Sequence, residues 1–343
     1  MRSAVVASEP MFVAVGRSHL ENGIVVGLGW DPATGLSTRE LLSVVGTRPQ
    51  RVWAIAGGDL DGDGAGDVVV LTETELHAWF ADPRVPTWSL RSPPGRNHVT
   101  VSTDDIDGDG ITEIVAGSGL DLQVYDRYGA LERRIVGVGP QAAVGEFDGD
   151  TTSREIVTEY GVIVDGRTGT REGELRVRPR ALWRFTETNP AVAVDVDGDG
   201  IDEFAFLDGV RLWVLDMPGG QVRWSWQLPP GTQPVGLRQP PWLAPIDADG
   251  DGTPELAVVT ASAATTPVSP GGAIHVLDGA SGALVRAIPP PPGIAGSSTF
   301  AGCYGLSAWD HDGDGHDALL YLGFEDAYLI DPATGALLLR HAL

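Results

Sequence analysis

Short apolar runs separated by turns rich in Gly, Pro and Asp recur along the whole chain, and no stretch keeps a helical period. Runs such as Val52–Ile55, Val68–Leu71, Ala191–Val194 and Phe204–Phe206 have the length and β-branched or aromatic content of strands. One hairpin signature, an apolar strand leading to an Asp at a turn and then a second strand, is repeated seven times. It reads Val25–Asp31, Leu76–Asp82, Leu122–Asp126, Val162–Asp165, Val210–Asp216, Ile274–Asp278 and Tyr328–Asp331. The last copy repeats the turn of the first: Asp331-Pro332-Ala333-Thr334-Gly335 matches Asp31-Pro32-Ala33-Thr34-Gly35. From Asp31 to Asp331 the six steps average 50 residues, the period of a propeller blade and too long for a heptad or a leucine-rich repeat.

A second element precedes hairpins two to seven. It is an acidic loop, complete at Asp59–Asp67, Asp105–Glu113, Asp195–Glu203 and Asp247–Glu255, and imperfect at Glu146–Glu155 and from Asp310 onward. Each loop lies between two apolar runs, so one unit reads strand, acidic loop, strand, strand, turn, strand. The expected fold is therefore all-β: a seven-bladed β-propeller of four-stranded antiparallel blades, occupying residues 1–343 as one domain. Blade one, about residues 1–48, lacks the loop, and Ala4–Ala7 and Met11–Val15 are its expected first strands. Blades two to seven take residues 49–343. The last strand runs to the C-terminal Leu343, so closure is expected without a strand borrowed from the other end.

Composition sharpens this picture. Hydrophobic residues make up 42%, enough for an extended core, and 46 Gly with 25 Pro suit many tight turns. The net charge of −24 argues against a nucleic-acid partner, which requires a dense positive surface. Of the 47 acidic residues, 25 fall inside the six loops, where like charges repel unless a cation compensates them. A single cysteine, Cys303, excludes an internal disulfide and a multi-thiolate metal site, and no sign of activation accompanies it. No apolar run approaches the ~20 residues of a membrane span, and the first residues are too poor in apolar side chains for a signal peptide.

The loop spacing has a physical reason. Acids stand at positions 1, 3, 5 and 9, and Gly at position 6 bends the chain. Alternate carboxylates turn inward, position 7 offers its backbone carbonyl, and the acid at 9 closes a cage of the hard oxygens that Ca²⁺ prefers. An EF-hand opens in the same way but needs a bidentate Glu at position 12, where this chain has Val70, Ala116, Phe206, Val258 and Tyr321. A solvated Asp-Gly turn accounts for one copy but not for four complete ones at matching places.

These loops resemble those of FG-GAP or VCBS-type (integrin α-like) repeats, in which a loop of the form Asp-x-Asp-x-Asp-Gly-x-x-Asp between the first two strands of a propeller blade binds Ca²⁺. The resemblance covers about residues 50–343 and is specific in the loop. The flanking Phe-Gly and Gly-Ala-Pro pieces are eroded, with Ala116-Gly117 the nearest remnant. It implies up to six Ca²⁺ ions. The ligands carried over are Asp59, Asp61, Asp63, Ala65 and Asp67, then Asp105, Asp107, Asp109, Ile111 and Glu113. The next complete loops offer Asp195, Asp197, Asp199, Ile201 and Glu203, and Asp247, Asp249, Asp251, Thr253 and Glu255, the seventh residue of each loop acting through its carbonyl. The imperfect third loop supplies Glu146, Asp148, Asp150 and Glu155, with one extra residue and Thr151 where the Gly should be. The sixth supplies Asp310, Asp312, Asp314 and His316, but Ala318 occupies position 9 and Asp317 comes one residue early, so it is expected to bind weakly.

No nucleophile elbow, phosphate loop or zinc-protease pattern is present, and Gly27-Leu28-Gly29 lies in a strand with Pro32 where a dinucleotide fingerprint needs its third glycine. No catalytic residue is assigned. Trp79, Trp213 and Trp224 are expected in the core between blades. Trp183, Trp242, Phe300 and Tyr304 fall in longer stretches linking one blade to the next, on the face opposite the acidic loops, which is enlarged at Leu228–Ala244, Thr260–Gly272 and Pro289–Gly305. The expected function is an extracellular or cell-surface binding or adhesion module, a monomer recognising glycan or protein on that face. The alternative is a carbohydrate-active enzyme such as a polysaccharide lyase, for which Arg180, Arg238 and His98 are the candidate groups, although no spacing links them.

Overall fold

Wherever side chains are described, burial is high in a sheet's second long strand and low in its last, because neighbouring sheets cover the inner strands on both faces. Asp67–Thr72 and Glu155–Thr158 are buried throughout, whereas Trp88–Arg91 and Leu131–Val136 are mostly open to solvent. This explains why the second strands read as continuous apolar runs. The computed structural model describes residues 3–6, 11–16, 24–31, 35–43, 52–64, 66–72, 75–80, 84–91, 98–177, 191–208, 210–234, 243–262, 272–289, 305–322 and 326–342.

All elements among these residues are strands, joined into antiparallel sheets of consecutive strands. An N-terminal meander pairs β1 (Ser3–Val6), β2 (Met11–Gly16), β3 (Ile24–Asp31) and β4 (Gly35–Ser43). The next three sheets are β5–β8 (Val52–Gly58, Asp67–Thr72, Glu75–Trp79, Trp88–Arg91), β9–β12 (His98–Asp104, Glu113–Ser118, Asp121–Tyr125, Leu131–Val136) and β13–β16 (Gln141–Gly145, Glu155–Thr158, Val162–Asp165, Arg171–Glu174). They are followed by β17–β20 (Ala191–Val194, Glu203–Asp208, Arg211–Asp216, Gln221–Gln227) and β21–β25 (Thr232–Pro234, Leu243–Ile246, Glu255–Ser262, Ala273–Leu277, Leu284–Ile288). The last is β26–β29 (Gly305–Trp309, Ala318–Leu322, Asp326–Ile330, Leu337–Ala342). The fifth strand of the β21–β25 sheet was not foreseen: β21 and β22 both pair with β23, at different stretches of it.

The expected count of seven blades is corrected to six. Six sheets carry the whole blade unit, with an acidic loop between the first and second long strands and a packed apolar core. The β1–β4 meander has the hairpin of a blade but no acidic loop, and its side chains lie outside the described residues. A hairpin signature alone therefore overcounted.

The chain divides into two compact units, residues 1–146 with 150–181 and residues 147–149 with 182–343. In the first, one core cluster joins Val69, Leu71, Leu76 and Ala78 to Ile114, Ala116 and Tyr125 of the next sheet. A second joins Val115, Leu122 and Val124 to Ile156, Val162 and Val164. In the other unit, Ala205, Leu207 and Val214 pack on Leu256, Val258 and Leu277, and Val259, Ile274 and Val276 pack on Leu319, Tyr321 and Ile330. Each fully buried Val, Leu or Ile contributes roughly 1.5–3 kcal/mol. Tryptophans on fourth strands add cross-links: Trp88 Nε1 donates to the Arg127 carbonyl at 2.7 Å and Trp224 Nε1 to that of Gly279 at 2.8 Å, each in the next sheet's last turn.

Candidate metal centres

The acidic loops are built on two anchors. The second residues of the four complete loops, Leu60, Ile106, Val196 and Ala248, are buried members of the four core clusters, so each of these loops is pegged to the sheets beneath it. Glycines at positions 4 and 6 both take positive φ, +77° and +85° at Gly62 and Gly64, with the same pattern in loops two, four, five and six. Only position 6 was singled out from the sequence. The tight path they allow aims successive backbone N–H groups inward.

The first acid collects those donors. Asp59 Oδ1 accepts from Gly62 N at 2.8 Å and Asp63 N at 3.1 Å, and its Oδ2 accepts from Gly64 N at 2.9 Å. Asp105, Asp195, Asp247 and Asp310 bind the glycine amides at positions 4 and 6 of their own loops at 2.7 to 3.0 Å. Position 5 accepts from the amide of position 7, as Asp109 does from Ile111, Asp199 from Ile201, Asp251 from Thr253 and Asp314 from His316. The ninth residue closes the cage by accepting from the amide of position 2: Leu60 to Asp67 at 2.8 Å, Ile106 to Glu113 at 3.1 Å, Val196 to Glu203 at 2.9 Å and Ala248 to Glu255 at 2.8 Å. These four acids are buried.

Carboxylate oxygens of Asp59, Asp61 and Asp67 lie within 4.8 Å of one another, as do those of Asp105, Asp107 and Glu113. The same holds for Asp195, Asp197 and Asp199, and for Asp247, Asp249 and Asp251. Two ligands on one Ca²⁺ ion are at most about 5 Å apart, since each Ca–O bond is about 2.3–2.6 Å. An all-oxygen donor set of this span fits that ion. Electrostatics point the same way. Burial, reinforced by the charges of Asp107 and Asp109, pushes the Glu113 carboxyl up to about 8, against the pull of the Ile106 amide. Glu203 is pushed up to about 7 by burial, and Glu255 is also raised by burial. Anions held against this opposition gain from a cation. Ala65 lies outside the described residues, and so do Trp183, Trp242, Phe300, Tyr304, Cys303, Arg180, Arg238 and the side chain of His98.

The two imperfect loops differ in kind. In the third, Glu146, Asp148 and Glu155 bring oxygens within 4.8 Å of one another, while Asp150 turns to Thr152, accepting from its amide and hydroxyl at 3.1 and 2.8 Å. Arg154 Nη1 stands 3.6 Å from Glu146, a cation the sequence reading did not single out. In the sixth loop Ala318 leaves no acceptor at position 9. Asp317 serves the neighbouring loop instead: its Oδ2 accepts from Asp247 N at 2.9 Å, and its amide donates to the Asp247 carbonyl at 2.8 Å. His316 packs its ring against Gly250, where an added Cβ would meet Cε1 at 2.8 Å. The fourth loop has a further partner that was not foreseen, Arg223, whose guanidinium binds Asp197 and Asp216 and stands 3.2 Å from Glu203 Oε1.

Four-stranded antiparallel blades joined through apolar cores, each with an acidic loop pinned before its second long strand, define a β-propeller. Within it, residues 195–258, from the first ligand position of loop four into β23, match the family model of the FG-GAP-like repeat. Comparison with curated proteins gives no match. Solved structures share the fold at low identity. The chain is similar to an Agrocybe aegerita lectin described for specific recognition of non-reducing terminal N-acetylglucosamine, at 15% identity and a TM-score of 0.62, with 98% of this chain and 91% of that one covered. It is similar to the V. cholerae biofilm matrix protein Bap1 at 14% identity and a TM-score of 0.53, covering 98% of this chain and 77% of that one. It is also similar to the WD40 beta propeller domain of Doa1, at 10% identity and a TM-score of 0.55, covering 94% and 88%. No helix among the described residues is long and apolar enough to cross a membrane.

Proposed function

We propose that this propeller binds Ca²⁺ in its acidic loops and acts outside the cell, as a monomer, as a binding or adhesion module for a glycan or a protein. The observation that carries the reading is the repeated cage, in which acids at positions 1, 3 and 9 are held by backbone amides in a geometry suited to one hard cation. The concentration of charge supports it, as does a family of repeats known for such loops. Propellers of similar fold include a lectin specific for terminal N-acetylglucosamine and a biofilm matrix protein, which favours a glycan ligand. Recognition is placed on the face opposite the loops, leaving calcium a structural role. A glycan and peptide array probed with the whole chain in calcium and in chelator tests this. Binding to a defined glycan or peptide class that weakens in chelator is expected, and an array silent under both conditions overturns the module reading.

A further inference from the structure

Five of the six blades carry a β-bulge in the same place, where the fourth strand begins to pair with the third. The register skips Glu132 between Leu131 and Arg133, Glu172 between Arg171 and Gly173, and Arg223 between Val222 and Trp224. In the last two blades it skips Val285 and Leu338. A bulge leaves one residue unpaired and re-aims its side chain. One of these side chains is turned to the acidic loop of its own blade. Arg223 binds Asp197 at position 3 and stands 3.2 Å from Glu203 at position 9, while its Nε holds the turn acid Asp216. Glu132 and Glu172 occupy the same bulge position in their own blades. Val285 and Leu338 bring no charge and are exposed.

We propose that the bulge residue of the fourth blade sets the cation affinity of the neighbouring loop: Arg223 is a resident counter-cation that weakens Ca²⁺ binding at Asp195–Glu203. The inference rests on the calcium reading above. The fourth loop then keeps its shape without calcium, because Arg223 already bridges two of its acids. Site affinity follows the charge gathered around the ion, and one unit charge beside a divalent cation in a solvated setting changes affinity by about tenfold.

The test is a calcium titration of the intact chain followed by NMR at single glycine amides. Gly200 and Gly252 donate to the first acid of loops four and five at 2.9 and 3.0 Å, so each reports its own site. In the wild type, Gly200 is expected to reach its midpoint at higher calcium than Gly252. Arg223→Met should lower the Gly200 midpoint by about tenfold and leave Gly252 in place, and Arg223→Lys should restore the wild-type value. Arg223→Gln, which keeps a polar head at the bulge without its charge, should lower the Gly200 midpoint likewise, and keeps the idea testable should Arg223→Met not fold. A Gly252 that titrates while the Gly200 midpoint is unmoved or raised by Arg223→Met overturns the proposal alone. If no loop glycine responds to calcium, the calcium reading falls and takes the proposal with it.

Discussion

Glu113→Gln separates the cost of a crowded carboxylate from its use as a ligand. Glu113 is buried, accepts from Ile106 N at 3.1 Å, and is held up to about 8 from 4.5 by burial and by Asp107 and Asp109. Moving an acid that far disfavours its anion by at most about 5 kcal/mol, and water around the exposed neighbours reduces this to roughly 2–3 kcal/mol. The sign follows from the raised folded value. The penalty is absent below the unfolded value near 4.5 and complete above about 8, so metal-free stability falls as pH rises through that window. Glutamine keeps an acceptor for Ile106 and cannot ionise. In chelator the variant should match the wild type at about pH 4 and exceed it by roughly 2–3 kcal/mol at about pH 8.5. In saturating calcium the order should reverse, because the variant has lost a charged ligand. Urea unfolding at the two pH values, with and without calcium, reads both effects. A variant less stable than wild type in chelator at the higher pH would refute the crowding argument, and one that stays more stable than wild type in saturating calcium would remove Glu113 from the ligand set.

Three further outcomes are expected. Asp317→Ala should destabilise the chain by about 1–3 kcal/mol, the cost of stranding the buried side of the Asp247 amide, while Asp317→Asn should cost much less because it keeps the acceptor. Thermal melts of the pair decide this, and equal losses would show that the bond to Asp247 is not the cause. Gly108→Ala should cost roughly 2 kcal/mol or more, since its φ is +73° and the new Cβ would lie 2.2 Å from the Thr152 carbonyl oxygen; a near-neutral melt would show that loops two and three do not touch as described. Ala318→Asp should tighten calcium binding at the sixth loop by restoring an acid at position 9, and an unchanged midpoint at Gly315 would show that this position supplies no ligand.

The strand order and the loops were legible because both are written locally. Apolar runs bounded by Asp-Gly turns become β6, β10, β18 and β23, and the alternating acids of Asp59–Asp67 lie one behind another on a path set by neighbouring glycines. What was not legible depends on pairing between distant segments. Arg223 reaches the fourth loop only because the register of β19 and β20 skips it, and nothing in Gln221–Trp224 alone announces that. A faint signal exists in the spacing, since Arg223, Glu172, Val285 and Leu338 each stand seven residues after their turn acids Asp216, Asp165, Asp278 and Asp331. Asp317 was read against its own loop, but the chain uses it to hold the preceding one. The blade count failed for a related reason. The Val25–Asp31 hairpin is present in β3 and β4, but a hairpin becomes a blade of this kind only with the pegged loop that residues 1–48 lack.

The central claim is that the acidic loops hold calcium, and counting bound ions tests it most directly. The chain, stripped with chelator and then dialysed to equilibrium against calcium, should retain at least the four ions its complete loops can hold, and Asp249→Ala should retain one fewer. Retention of less than one ion per chain at millimolar free calcium, or a count unchanged by Asp249→Ala, would contradict it.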